Sequence, residues 1–275
     1  MKVVLFCGGL GTRLKEHSET IPKPLVNIGY RPIIWHLMRY YAYFGHKDFV
    51  LCLGYRGDLI KEYFLNYNEC ISNDFVMRNG GREIETLHRD IDDWQITFVD
   101  TGQQSNIGQR LVAVRDFVQD EMFLANYSDG LSDLDLNAYI QRASVERAVA
   151  SLVAARTTDS FHAVTADEDG WVSDIGPIRN SSLMVNAGFF LLRPEIFDYI
   201  RDGEELVAEP FTRLVQERRL FCHAYDGFWK CMDTFKDKMT FDRMYEQGDA
   251  PWEVWRSAKN AAGGRDRSSS LKRRA

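Results

Sequence analysis

The sequence predicts an α/β protein, a mostly parallel sheet with helices on both faces. Three observations carry that expectation: short unbroken apolar runs, amphipathic helical stretches between them, and polar or glycine residues where each run stops. Val3 to Phe6 is the first run, a strand buried on both faces that ends at Cys7 against Gly8 and Gly9. Pro32 suits a first helical turn, Ile34, Leu37, Met38 and Tyr41 share one face, and Gly45 stops the helix. Phe49 to Leu53 is a buried strand, and Asp58 is the expected cap of a helix from Leu59 to Tyr67. Strand and helix in this rhythm imply right-handed crossovers.

The polar region 70–94, with its Asn79-Gly80-Gly81 turn, reads as a loop or hairpin excursion. Ile96 and Phe98 alternate along a strand that ends at Asp100, and a helix is expected from about Arg110 to Val118. Phe123 to Tyr127 runs into Ser128-Asp129-Gly130, and such a strand tip faces the crevice where open α/β sheets bind ligands. A helix from Leu136 to Arg147, a strand from Val149 to Ala154 and a hairpin through Val164 and Trp171 follow. The strand Val185 to Leu192 holds Asn186 and Gly188, and a glycine inside a strand often marks close approach by a ligand. Pro194 opens a short helix and Pro210 another to Glu217; strands at Phe221–Tyr225 and Trp229–Met232 lead to Asp233, and Thr234 to Gln247 is helical.

Composition narrows the function. A chain of 275 residues buries roughly three quarters of its unfolded surface, enough for a large core. The net charge is −6, but the last twenty residues carry seven Lys or Arg and one Asp, which leaves the body at −12. Such a body argues against nucleic-acid binding, and an anionic substrate needs a local cationic pocket. Five cysteines without a CxxC spacing suggest neither disulfides nor zinc and read as small core residues of a reduced, cytoplasmic protein. No apolar run is long enough for a membrane span. One domain over 1–257 and a basic, disordered tail over 258–275 are expected.

The stretch from Val3 to Lys23 concentrates the chemistry. Gly8, Gly9 and Gly11 let backbone N–H groups approach a polyphosphate, and a helix following them would present its positive end. Arg13 can fork onto phosphate oxygens, and Lys23 is fixed between Pro22 and Pro24. The glycines alone serve equally as a bare turn; the two cations favour the phosphate cradle. Neither the dinucleotide fingerprint nor the P-loop fits, since Leu14 stands where the first needs glycine and Gly-Thr-Arg where the second needs Gly-Lys-Ser/Thr.

The run GGLGTRL at 8–14 followed by PKPLVNIG at 22–29 resembles the signature of the sugar-1-phosphate nucleotidylyltransferases. GYRGDLIKEYFLNY at 54–67, WQITFVDTG at 94–102, SDGLSDLDL at 128–136, NAGFFLL at 186–192, GFWKCMDTFKDK at 227–238 and APWEVW at 250–255 are similar to the glucose-1-phosphate cytidylyltransferase branch. The resemblance implies a Rossmann-like, GT-A-like fold and a magnesium-dependent enzyme, commonly oligomeric, that transfers CMP from CTP to a sugar 1-phosphate or related small phosphate with release of pyrophosphate. It implies nucleotide contacts from Gly8, Gly9, Gly11, Thr12, Arg13 and Arg110, catalytic roles for Arg13 and Lys23, metal binding by Asp129 and Asp233, and acceptor contacts from Asn186 and Glu209. For Arg110 a surface position at a helix end is the competing reading.

Three departures stand out. Most relatives carry Glu-Lys where this chain has Gly176-Pro177, so the sugar and phosphate clamp is missing, and Arg179 is the candidate replacement. Ser128 takes the place of the usual glycine, and Gln103 that of an aspartate. Two alternatives follow: a nucleotide-binding homologue without turnover, or a glycosyltransferase using Asp133-Leu134-Asp135 as a metal-binding Asp-x-Asp.

Overall fold

Val3 and Leu5 belong to one buried apolar cluster and Val4 and Phe6 to another, so the first strand is covered on both faces, as its unbroken apolar run requires. The computed structural model describes residues 1–9, 21–145, 147–157 and 161–256. In chain order its strands are β1 (Lys2–Phe6), β2 (Asn27–Ile28), β3 (Arg31–Pro32), β4 (Asp48–Leu53), β5 (Phe75–Arg78), β6 (Glu83–Thr86), β7 (Gln95–Asp100), β8 (Phe123–Tyr127), β9 (Gly130–Ser132), β10 (Ala150–Ala155), β11 (His162–Ala166), β12 (Val172–Pro177), β13 (Val185–Leu192), β14 (Leu220–Tyr225) and β15 (Trp229–Cys231). The helices are α1 (Ile33–Tyr43), α2 (Gly57–Leu65), α3 (Ile107–Ala113), α4 (Arg115–Val118), α5 (Leu136–Val145), α6 (Glu209–Gln216) and α7 (Phe235–Glu246).

Seven strands make the central sheet in the order β14-β10-β13-β8-β1-β4-β7. All are parallel except β13, which runs antiparallel to both of its neighbours. The register sets Phe6 beside both Cys52 and Tyr127, so the carboxyl ends of β1, β4 and β8 form one edge, from which the loops at Cys7, Gly54 and Ser128 leave. α1 contributes Ile33, Ile34, Leu37, Met38 and Tyr41 to one face, while Leu111 of α3 and Phe211 and Leu214 of α6 cover the other. Each such side chain contributes about 1.5–3 kcal/mol on burial.

Several boundaries differ from the sequence reading. Helix α2 begins at Gly57, because Arg56 adopts a left-handed φ of 49°, and Asp58 lies in its first turn without capping it. Helix α3 begins at Ile107, where Asn106 and Gln109 form a reciprocal capping box, and the chain breaks at Val114 before α4. The 70–94 region is a hairpin, β5–β6. Of the cysteines, Cys7 and Cys52 are core residues, whereas Cys222 is exposed. The Trp252 ring packs against Phe241 at 5.3 Å and His36 at 6.2 Å, which makes the C-terminal aromatic segment part of the core.

Candidate active site

Lys23 opens a 3-10 turn, Lys23–Leu25, whose bends are held by Leu25 N to Pro22 O at 2.8 Å and Val26 N to Lys23 O at 3.1 Å. Buried Pro24 anchors the turn, so the lysine stem has a fixed origin. Its ammonium donates to Asp129 Oδ2 and to Asp233 Oδ1, both at 2.6 Å. Burial alone lowers the Lys23 pKa, but the two carboxylates outweigh it, and the net shift is upward.

The convergence of the two aspartates has a local cause. Asp129 immediately precedes β9 and Asp233 lies two residues beyond β15, and these short strands pair antiparallel with Gly130 opposite Cys231. The ladder continues through Met232 N to Asp129 O at 2.9 Å. Two carboxylate oxygens thereby meet around one cation. Among the described residues one ammonium faces the two carboxylates, and a carboxylate pair of this kind suits a hard divalent ion completed by phosphate and water oxygens. Lys23 stands in for such a cation here, so the donor set fits a magnesium-type ion. The Cys231 thiol donates to Asp233 Oδ2 at 3.3 Å and is pushed up to about 12 by burial and by the Asp233 charge, so it stays protonated.

The first turn is built from beneath. Cys7 N donates to Cys52 O at 2.9 Å, and Ser128 Oγ donates to Phe6 O at 2.8 Å. Ser128 is therefore turned inward and takes the glycine's place without entering the crevice. Arg110 is neither a surface arginine nor an open ligand contact: it is 3% exposed, and its guanidinium donates to the carbonyls of Gly8 (3.0 Å), Leu53 (3.1 Å) and Gln103 (3.4 Å) and to Thr101 Oγ1 (2.8 Å). A Cβ at Gly8 would lie 2.0 Å from Arg110 Nη1, so Gly8 is glycine to admit this side chain; Gly9 is exposed with open space around it. Gly11, Thr12 and Arg13 lie outside the described residues, as do the positions of the expected tail, 258–275.

Asn186 lies at the amino end of β13, its Oδ1 accepting from Gly188 N at 2.9 Å and its Nδ2 donating to Tyr127 OH at 3.3 Å. Gly188 has φ +75°, and a Cβ there would meet the Tyr127 ring at 2.4 Å. The bulge also aims Ala187 O at Trp229 Nε1, 2.9 Å away, tying β13 to β15. Arg179 is exposed in the turn after β12 and Glu209 on the first turn of α6; among the described residues neither is joined to Lys23 or Asp129. The Asp-x-Asp pair is engaged structurally: Asp133 accepts from Tyr225 OH and Phe228 N, and Asp135 from Ala138 N at 3.1 Å at the start of α5. Tyr127, Gly54 and Thr101 border the candidate site without having been singled out in the sequence: Tyr127 accepts from Asn186, a Cβ at Gly54 would lie 2.8 Å from Gly8 O, and Thr101 accepts from Arg110.

The site is thus a cation-centred carboxylate pair at the carboxyl edge of a doubly covered α/β sheet. The chain belongs to the nucleotidyl transferase family, whose model matches residues 2–237. Among curated proteins it is 39% identical over 257 residues to a glucose-1-phosphate cytidylyltransferase of Salmonella typhi, covering 93% of this chain and all of the relative. The fold is shared with a UDP-glucose pyrophosphorylase solved with UDP-glucose, at TM-score 0.66 and 14% identity over 90% of this chain and 98% of that one. It is shared too with HddC from Yersinia pseudotuberculosis, solved with GMP-PN, at TM-score 0.63 and 20% identity over 89% of this chain and 99% of that one. No helix among the described residues is long and apolar enough to cross a membrane.

Proposed function

We propose that the protein transfers CMP from CTP to a sugar 1-phosphate, glucose 1-phosphate or a related small phosphate, releasing pyrophosphate. The observation that supports this most is the Lys23 ammonium held between Asp129 and Asp233 in a member of this family. The choice of CTP and of a sugar 1-phosphate rests on the 39% identity to a glucose-1-phosphate cytidylyltransferase.

The reaction is attack by an acceptor phosphate oxygen on the α-phosphorus, with pyrophosphate leaving. A phosphate monoester is already ionised at neutral pH, so the barrier is the approach of an anion to a polyanion, and catalysis means positioning plus cationic screening. Lys23 meets the α-phosphate region, and Arg13 and the amides of the Gly8–Gly11 turn, with Thr12, hold the departing pyrophosphate. Arg110 acts from below, fixing the Gly8 carbonyl and so the direction of the turn. Asp129 and Asp233 would hold magnesium, which would supply further neutralisation of phosphate charge. Asn186 faces the acceptor, and Arg179 and Glu209 are assigned to its periphery.

A cytoplasmic setting fits the free cysteines among the described residues, and self-association fits the exposed side chains Phe75, Met77 and Ile84 on the β5–β6 hairpin. Incubation with each of the four nucleoside triphosphates and a panel of phosphates, scored by pyrophosphate release, tests the proposal. Release is expected to be fastest with CTP and a sugar 1-phosphate; no release with any pair contradicts it.

A further inference from the structure

Beside Asp233 lies a cavity of about 480 Å³ bounded by β15, by α7 and by the base of the β11–β12 hairpin. Its apolar wall is Phe161, Phe228 and Met244. Phe161 stands at the hairpin base, where its carbonyl accepts from Ile178 N at 2.9 Å and the next pairs are His162 with Pro177 and Ala163 with Gly176. The two positions that lack a polar side chain thus sit beside the cavity's aromatic edge, and the space where a Gly176 Cβ would point is open.

Several polar groups around the cavity are already engaged by other protein groups. Lys230 Nζ donates to Asp237 Oδ1 at 2.6 Å, Thr234 Oγ1 donates to Asp237 Oδ2 at 2.7 Å, and Thr240 Oγ1 donates to Lys236 O at 2.8 Å. A hydroxyl turned toward the apolar wall would exchange its hydrogen bonds with water for contact with two phenyl rings and a thioether. Such a wall selects by shape and apolar contact, and it discriminates against an added hydroxyl only modestly.

Resting on the nucleotidyl-transfer reading above, we infer that this cavity receives the body of the acceptor, and that the favoured acceptors are deoxygenated sugar 1-phosphates rather than fully hydroxylated ones. The phosphate of such an acceptor remains at the Asp233 end, and the ring face lacking a hydroxyl lies on Phe161, Phe228 and Met244.

The test measures kcat/KM with CTP and magnesium for glucose 1-phosphate and its 2-, 3-, 4- and 6-deoxy counterparts. It uses the full chain and the variants Phe161→Ser and Met244→Gln, with folding checked by thermal melting. At least one deoxy acceptor is expected to exceed glucose 1-phosphate by about tenfold, with the ratio moving toward one in both variants. Phe161 is 67% exposed, so its replacement leaves the core intact and keeps the comparison interpretable. Turnover in which glucose 1-phosphate matches or beats every deoxy counterpart, or a ratio unmoved by both variants, overturns this inference and leaves nucleotidyl transfer standing. Absence of pyrophosphate release with every acceptor overturns both.

Discussion

The amide of Met232 donates to the carbonyl of Asp129 at 2.9 Å, and this bond decides where Asp233 falls. A slip of one residue in the β9–β15 pairing would turn the second carboxylate away, since side chains alternate between the faces of a strand. The carboxylates act as a pair, so Asp129→Asn and Asp233→Asn are each expected to reduce kcat by at least a hundredfold, roughly 3 kcal/mol, with the double variant little worse than either. Steady-state pyrophosphate release across the four proteins checks this; additive losses would contradict it.

Lys23→Ala is expected to lower kcat/KM by at least a hundredfold, again roughly 3 kcal/mol, because the ammonium proposed to meet the α-phosphate region is lost. A loss of less than about fivefold, under roughly 1 kcal/mol, would remove Lys23 from the mechanism.

Arg110 offers two separable effects. Arg110→Met removes the guanidinium bonds to the carbonyls of Gly8 and Gln103 and leaves Leu53 O with its Thr101 donors, with an expected cost of roughly 3 kcal/mol in stability. Because the Gly8 turn loses its support, KM for CTP should rise about tenfold, with kcat changing less, and Arg110→Lys should restore neither, lacking the planar fork. Urea unfolding together with initial-rate kinetics separates the two.

Gly188→Ala combines a positive φ with a Cβ at 2.4 Å from the Tyr127 ring, and roughly 2–4 kcal/mol of destabilisation is expected. In a Tyr127→Ala background the same change should cost only about 1 kcal/mol, the backbone share. Equal costs in both backgrounds, read from urea midpoints, would show that the ring is not the obstacle.

Glu253 is buried beside Arg256, and desolvation raises its pKa to about 7 against the partial offset of that arginine. Below the unfolded value, near 4.5, both states hold the proton. As pH rises from there to about 7, the unfolded chain releases a proton that the folded one keeps, so stability falls, by roughly 1–2 kcal/mol. Glu253→Gln should therefore melt higher than the parent at pH 8 and alike at pH 4.5; a parent that melts as high as the variant at pH 8 contradicts the sign.

Much of the architecture was legible because local pattern and burial agree. The run Val3–Phe6 and the strands at 49–53 and 123–127 carry the unbroken apolarity that a doubly covered sheet demands, and the Asn106–Gln109 capping box was readable in retrospect. Strand direction is not a local property, which is why nothing in 185–192 announced that β13 is antiparallel. The Asp129–Asp233 meeting came from family motifs alone, since two three-residue strands far apart in the chain leave no periodicity to read. Arg110 was misplaced for the same reason: the carbonyls that accept from it come from β4, the first turn and the loop after β7.

The most direct test is magnesium-dependent pyrophosphate release from CTP and glucose 1-phosphate, measured on the full chain alongside Asp129→Asn and Asp233→Asn. The expected result is release by the parent that stops on chelation and falls at least a hundredfold in each variant, roughly 3 kcal/mol. Release that persists in either aspartate variant at the parent's rate, or that ignores chelation, would contradict a cation shared between these two carboxylates.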